Sequence, residues 1–586
     1  MAPQTTAAGT APRRSWRPGW AAIAVAVVCF ALAVANIWWV LTVRSHMPFS
    51  IDEDGYLQRA IRDGQALSHG GLAALLSTVR SPDAEAPLVP VIGAIAFQIW
   101  HARLLDVIAA LQVVYVAAVL ASYALARLVV SRPWAVVAAI AVACSPGVVT
   151  ESRNFLFGMA ATATFAAAVW AQLRAQNGRD WRFLAPAGIL AGLTLLSRTV
   201  MIAFVAVLWT VGAVTVLLES HHRLQRMLRF AAAPAIGIAV ASIWYSANGR
   251  YVFPYLLHYG YGQQAGAYSS QFLPIVGSLP VRLNNLVSED LFLPLTVLVG
   301  LGLALGAYQL IRRAASHARP VTAHLLLLTR PRGQLALVTL GCLVALCSSR
   351  NNGNAFELPL VPLLIVLAIT GIASWRLVAA RRITAGLLVA SALIAAVVAT
   401  APWVPPLEVS VNTSTMSAVV VSTSSTISQY LWATGYLPRP DSPRAVRGWQ
   451  TASLRATTFL YRFAHDRGYL PVVFFVSENP LFNTNSLQIE VQIKRGQVLP
   501  MGALNSPDSI HLTYAQQLMS PALGLPNFLV VVSGQQLPSI TLIPDAGTAL
   551  RVATGLGFQE VWTMRLPDGS HAMIYWLERG PHLPTA

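Results

Sequence analysis

Three carboxylates in succession, Asp52, Glu53 and Asp54, stand in the stretch Ser50-Ile51-Asp52-Glu53-Asp54-Gly55-Tyr56, in a chain with only 11% charged residues. If a helix carries the acids in its first turn, Asp52 and Tyr56 lie four residues apart and point a carboxylate and a phenol into the same space. A carboxylate so placed can act as general base toward a hydroxyl within hydrogen-bonding reach. A second reading uses the same residues: Ser50 and Glu53 have capping-box spacing, and acids in a first turn suit the positive end of a helix dipole whether or not a reaction occurs. The other candidates are ionisable residues isolated near the ends of apolar runs, where charge is costly unless it faces water or a partner. They include Arg103, Glu151, Arg153, Arg198, Arg350 and Glu357. Arginine's planar fork binds phosphate oxygens bidentately, so a cavity combining these side chains with an acid could hold a lipid phosphate and deprotonate an acceptor. For each arginine the alternative is an interfacial anchor. His258 lies in an aromatic run, Phe253-Pro254-Tyr255-Leu256-Leu257-His258-Tyr259, that could cover a sugar or pack on the bilayer surface.

The elements that must position these residues are apolar. With 586 residues, 55% hydrophobic, the chain reads as an all-α polytopic membrane protein. Its net charge of +17 sits in short basic clusters between apolar runs, which indicates topology rather than nucleic-acid binding. The four cysteines fall within apolar runs, so neither disulfides nor a metal site is expected. Residues 1–19 form a basic cytoplasmic tail. Spans follow at about 20–43, 104–125, 134–144, 155–172, 183–196, 200–218, 230–245, 291–310, 335–347, 358–372 and 384–401, about eleven transmembrane helices with the basic clusters on one side throughout. The first outer loop, 44–103, carries the acidic stretch and ends in a short interfacial helix at 88–100; a later outer loop occupies 246–290. The membrane unit is thus 20–401.

Residues 402–430 read as a Ser/Thr-rich flexible linker, and 431–586 as an exported soluble α/β accessory domain. The apolar runs at 471–476 and 527–532 are of strand length and of the kind buried on both faces. Two further strands flank the turn Pro567-Asp568-Gly569, and Ser453 reads as the N-cap of a helix over 453–465.

The motifs Ile51-Asp52-Glu53-Asp54-Gly55-Tyr56, Ala102-Arg103-Leu104-Leu105, Ser145-Pro146 with Ser152-Arg153, Leu196-Ser197-Arg198-Thr199 and Phe356-Glu357-Leu358-Pro359-Leu360-Val361-Pro362 occur in an order and sidedness that resemble the GT-C membrane glycosyltransferases. The likeness is to the branch containing the protein O-mannosyltransferases and lipid A aminoarabinose transferases, and covers roughly residues 20–400. It implies a catalytic base at Asp52, with Glu53 beside it, and donor-phosphate contacts at Arg198, Arg103, Arg153 and Arg350. Asp54, Tyr56, His258 and Glu357 are the candidate substrate contacts. Two departures stand out. Ala86 occupies a position that is basic in that family, and Gly158 replaces an acid expected five residues after Arg153, leaving open whether Glu151 substitutes for it. The resemblance implies an inverting glycosyltransferase that moves a sugar from a polyprenyl-phosphate donor to a hydroxyl of a cell-envelope glycan, lipid or protein on the outer face of a bacterial inner membrane. No cofactor is implied, although the acidic stretch could hold a divalent cation. The alternative is a non-catalytic transporter or flippase of lipid-linked saccharides, which would carry its ionisable groups nearer the bilayer midplane.

Overall fold

The computed structural model describes residues 20–581 except 45–48, 50, 83–84, 101–103, 219–222, 263–264, 266–274, 316–327, 352, 354, 402–406, 414–416, 423–442, 480, 496–498, 505–511, 522–523 and 535–544. The apolar part runs as α1 (Trp20–Thr42), α2 (Ile51–Val79), α3 (Leu88–Trp100), α4 (Leu104–Ala110), α5 (Gln112–Val129), α6 (Arg132–Ala143), α7 (Pro146–Glu151), α8 (Phe157–Arg174), α9 (Leu184–Ser197), α10 (Met201–Leu218) and α11 (Arg223–Gly260). It continues as α12 (Ile275–Asn285), a π-turn over Leu286–Asp290, α13 (Phe292–Ala315), α14 (Pro331–Ser348), α15 (Val361–Ala373) and α16 (Val378–Thr400).

Seven of these helical stretches are long and apolar enough to cross a membrane: Trp20–Thr42, Leu104–Val129, Met201–Leu218, Arg223–His258, Phe292–Arg312, Pro331–Ser348 and Val378–Thr400. The other four segments read as spans fall on α6, α8, α9 and α15, of 12 to 18 residues. Their faces show why lipid is the solvent. On α1 the inward stripe Val25, Cys29, Ala33, Asn36 and Val40 is buried at helical spacing, while Val27 and Phe30 are exposed and still apolar. The chain is a multi-pass membrane protein. Its main core joins α1, α5, α6, α8, α10 and α13 to α16, lined heavily by alanine, which lets backbones approach closely.

The short helix read at 88–100 is α3. Three expectations need correction. The outer loop placed at 246–290 begins as helix: α11 continues to Gly260 despite Pro254, because Trp244 and Val252 are buried against Leu75, Val79 and Leu196 and packing continues past Tyr245. The linker read over 402–430 contains an antiparallel hairpin, β1 (Glu408–Asn412) with β2 (Ser417–Ser422). Its Val-rich second strand seats Val419 against Phe292 and Ala395, so β-propensity and burial outweigh the Ser/Thr content. Ser453 is no N-cap; it is buried inside α17 (Pro443–His465).

The C-terminal domain is an α/β layer. Strands β3 (Val473–Phe475), β4 (Met501–Ala503), β5 (Phe528–Val532), β6 (Gln559–Arg565) and β7 (His571–Trp576) order as β4-β3-β5-β7-β6, with β4, β3 and β5 parallel and β7 and β6 antiparallel. Successive β5 side chains go to opposite faces. Phe528, Val530 and Val532 pack with α17 and α18 (Thr484–Arg495), whereas Leu529 and Val531 pack with α19 (Tyr514–Met519) and α20 (Ala546–Gly555). Helix α18 also reaches the membrane part: Ile489 is buried in one cluster with Tyr56, Leu57 and Trp39.

Candidate active site

Helix α2 starts at Ile51, so the three acids occupy its first turn. Residues about 100° apart on a helix must diverge, and these do. Glu53 is fully buried: one carboxylate oxygen accepts from the Arg44 guanidinium at 2.6 Å and the other from the Phe155 N–H at 3.0 Å. It ties the start of α2 to the end of α1 and to the connection before α8. Asp54 is also buried; burial first, then the Glu53 carboxylate and that of Glu490 in the C-terminal domain, against the pull of Arg44, holds it well above the usual carboxylate range.

Asp52 alone of the three is exposed, yet protein surrounds it, so it lines a cleft open to solvent. Burial raises its pKa and Arg198 draws it back down. Tyr56, one turn on, senses Asp52, Arg198, Glu85 and Tyr255, and burial keeps its phenol neutral. The expectation that Asp52 and Tyr56 share a face and an environment matches this geometry.

Arg198 follows α9 in an extended connection to α10. Its guanidinium lies between two phenyl rings, 3.4 Å from the centroid of Phe157 and 3.7 Å from that of Phe356. With both faces stacked, only the in-plane N–H edge can address a ligand, and rotation is blocked. Burial lowers its pKa to about 9, opposed by Tyr56, Glu151, Tyr255 and Glu357, so it remains cationic at neutral pH. The Phe157 ring also meets Tyr56 edge-on at 5.8 Å. One aromatic-cation stack therefore fixes Tyr56 and Arg198, with Asp52 at its side.

Glu151, raised in the sequence as a possible substitute for the acid absent at Gly158, does lie beside that glycine. A side chain at Gly158 would place its Cβ 2.5 Å from Glu151 Oε2. The Glu151 carboxylate thus fills the volume that a residue-158 side chain would enter, and it senses Arg198. Glu151 is buried, its Oε2 has no hydrogen-bond partner, and its pKa is pushed up to about 7, chiefly by burial.

The other predicted residues fall in different places. Arg153 is fully buried and engaged with the protein itself: it donates to Asn36 Oδ1 at 3.0 and 2.9 Å, to the Ala399 carbonyl at 2.8 Å and to Thr400 Oγ1 at 2.5 Å, and stacks on Trp39. It braces α1 against α16. Glu357 accepts from Arg282 at 2.9 Å, with both side chains buried, and Arg282 donates as well to the carbonyls of Leu346 and Asn351. Arg350 is half-buried, its backbone N–H donating to the Gly260 carbonyl at the end of α11. His258 is exposed on that last turn of α11. Arg103 and Ser50 lie outside the described residues, and the capping box with them. Among the described residues, no three His, Cys, Asp or Glu side chains are grouped so as to hold a metal ion.

Sequence reasoning missed Arg44, Arg282, Glu289 and Asp290. Glu289 and Asp290 lie on the π-turn, where burial first and then the Glu357 and Glu151 carboxylates raise the pKa of both; Glu289 reaches about 8, and it also raises Asp290. A π-turn in an apolar chain often marks a functional site, but periodicity does not announce one.

Residues 84–245 match the family described as dolichyl-phosphate-mannose-protein mannosyltransferase. No curated protein matches the chain at the level of sequence. Among solved structures, ArnT from Cupriavidus metallidurans in the apo state aligns at a TM-score of 0.51 with 11% identity, over 95% of this chain and 98% of that one. The same protein bound to undecaprenyl phosphate aligns at 0.51 with 11% identity, over 94% and 98%. Archaeal oligosaccharyltransferase AglB from Archaeoglobus fulgidus aligns at 0.49 with 13% identity, over 88% and 69%. The chain has the GT-C fold of ArnT, and through that fold and the family match it resembles the membrane glycosyltransferases of the protein O-mannosyltransferase and lipid A aminoarabinose transferase branch.

Proposed function

We propose that this protein is an inverting glycosyltransferase that moves a sugar from a polyprenyl-phosphate carrier to a hydroxyl of a cell-envelope acceptor, on the outer face of a bacterial inner membrane, with its C-terminal domain on that side. The observation that carries the reading is Asp52 lining an open cleft beside Arg198, whose charge is clamped between Phe157 and Phe356. The undecaprenyl phosphate bound by ArnT supports a lipid phosphate as the anion for Arg198.

In this reading Arg198 binds the donor phosphate through its N–H edge, with Arg350 and Arg103 as further candidates. Arg153 and Glu53 act indirectly, by holding α1, α2 and α16 in place. Asp52 takes the proton of the acceptor hydroxyl as its oxygen forms a bond to the anomeric carbon. The carbon–oxygen bond to phosphate breaks, its electron pair leaves with polyprenyl phosphate, and the single displacement inverts the centre. A phosphate matched by arginine is already a competent leaving group, so the reading needs no metal; turnover unchanged by chelator is the corresponding expectation.

The test is release of free polyprenyl phosphate by purified protein across a panel of polyprenyl-phosphate sugars, comparing wild type with Asp52→Asn. General-base help contributes about 10²- to 10⁴-fold, so release with one donor should fall by that factor in the variant. A loss of only a few-fold refutes Asp52 as the base. No release with any donor, by folded protein that binds the lipids, favours the transporter reading.

A further inference from the structure

Arg282, on α12, is fully buried, and its guanidinium ties together both ends of the connection 349–357 between α14 and α15. Nη2 donates to the carbonyls of Leu346 at 3.0 Å, Ser349 at 3.4 Å and Asn351 at 2.6 Å, while Nη1 donates to the Glu357 carboxylate at 2.9 Å. Further bonds fix the described residues between these anchors. The Arg350 N–H and the Ser349 hydroxyl both donate to the Gly260 carbonyl, at 2.8 and 3.2 Å, and the Gly353 N–H donates to Asn351 Oδ1 at 2.8 Å.

This connection carries Phe356, whose ring centroid lies 3.7 Å from the Arg198 guanidinium. Ala355, just before it, is buried in the main core with φ at 57°, in the left-handed region that a Cβ disfavours, so the surrounding contacts must impose that backbone. A Cβ built at Gly353 would stand 3.0 Å from Cε2 of the Phe356 ring, so the ring rests against a residue without a side chain. Stability alone does not account for the anchor. A buried ion pair can often be replaced by apolar side chains without loss, and its best-attested use is to specify one arrangement among several.

We propose that Arg282 is a positioning residue for the lipid phosphate: by fastening both ends of 349–357 it holds Phe356 on the Arg198 guanidinium, and so aims the N–H edge that meets the phosphate. The assignment of that anion rests on the transferase reading above. With Phe356 withdrawn, one face of the guanidinium is uncovered and its plane is free to turn, so binding weakens although Arg198 keeps its charge.

The test measures the Kd of purified full-length protein in detergent for polyprenyl phosphate. The probe carries no sugar, so a contact between Glu357 and the sugar does not enter the measurement. Two changes are compared: Phe356→Leu, and Arg282→Met combined with Glu357→Leu, which removes the pair without stranding a charge. Loss of a cation–π contact of this kind corresponds to roughly a two- to thirtyfold change. Both changes should raise Kd by that factor, while the inactivation temperature of the double variant stays close to that of wild type. In an Arg198→Gln background neither should raise Kd further. A Kd unchanged in Phe356→Leu or in the double variant overturns the positioning role, as does an equal rise with and without Arg198. Wild type that binds polyprenyl phosphate with these effects, yet releases none from any donor, removes the transferase reading and leaves the positioning role standing.

Discussion

Replacing Gly158 with alanine tests whether Glu151 holds its place by exclusion. The new Cβ would stand 2.5 Å from Glu151 Oε2, 3.1 Å from its Cδ and 3.2 Å from Ala355 Cβ. To reach ordinary van der Waals separation the carboxylate must retreat by about 0.9 Å. Such retreat is resisted, because Glu151 is buried at the end of a six-residue helix wedged between α6 and α8. Overpacking of this kind costs about 1–3 kcal/mol, and it moves the carboxylate that faces Arg198. We expect Gly158→Ala to lower the half-inactivation temperature in detergent and to reduce turnover by about tenfold, equivalent to about 1.4 kcal/mol. The double-mutant cycle isolates the cause. In a Glu151→Ala background the two closest contacts are gone and the nearest remaining of the three, Ala355 Cβ, stands at 3.2 Å, so most of the penalty should vanish, leaving an interaction energy of about 1–2 kcal/mol. Gly158→Asp combined with Glu151→Ala should retain more turnover than Glu151→Ala alone, since it returns a carboxylate to the vacated volume. A neutral Gly158→Ala, or a penalty undiminished without Glu151, refutes the exclusion argument.

Three further outcomes follow from the same geometry. Arg282→Met should destabilise the protein by about 3–5 kcal/mol by stranding the buried Glu357 carboxylate, and adding Glu357→Leu should restore much of the loss, both read by thermal inactivation. The raised pKa of Glu151 means that the folded state binds its proton more tightly than the unfolded chain. The resulting stability is fully present below about pH 4.5 and lost as pH rises through about 7, an upper bound of about 3 kcal/mol; Glu151→Gln should flatten the decline in inactivation temperature between pH 5 and 8. Ile489→Asp, which places a charge in the cluster with Tyr56 and Leu57, should undock the C-terminal domain and speed its release by protease, whereas Ile489→Val should not.

What the sequence makes legible is governed by period. Apolar runs of membrane length, the 13-residue helix α3 and the strand-length runs around Val473 and Phe528 carry their signal within a few neighbouring residues, and all appear as elements. What it hides depends on contacts distant in the chain. Arg282 meets Glu357 75 residues away, and the continuation of α11 rests on Trp244 and Val252 meeting residues of α2 and α9. Gly158 reads as a missing acid because spacing along the chain says nothing of a side chain arriving from Glu151. The family likeness points to the position, and only the fold shows that the Glu151 carboxylate lies beside it.

The acidic triplet shows the same limit at its smallest scale. Composition singles out Asp52, Glu53 and Asp54 together, and helical geometry then requires that they face three directions. Which one faces the cleft depends on what waits in each direction. Arg44 and the Phe155 N–H claim Glu53, Asp54 is buried within the field of Glu53 and of Glu490 from the C-terminal domain, and Asp52 is left exposed within the field of Arg198. A catalytic role shared by Asp52 and Glu53 therefore divides into two. In the proposed mechanism Asp52 is the group that meets substrate, and Glu53, held by Arg44 and the Phe155 N–H, fixes the helix that carries it. The division predicts different failures. Loss of the Asp52 carboxylate should leave a stable protein whose turnover is about 10²- to 10⁴-fold lower, and loss of the Glu53 carboxylate should remove the buried contact to Arg44 and cost stability before it costs rate.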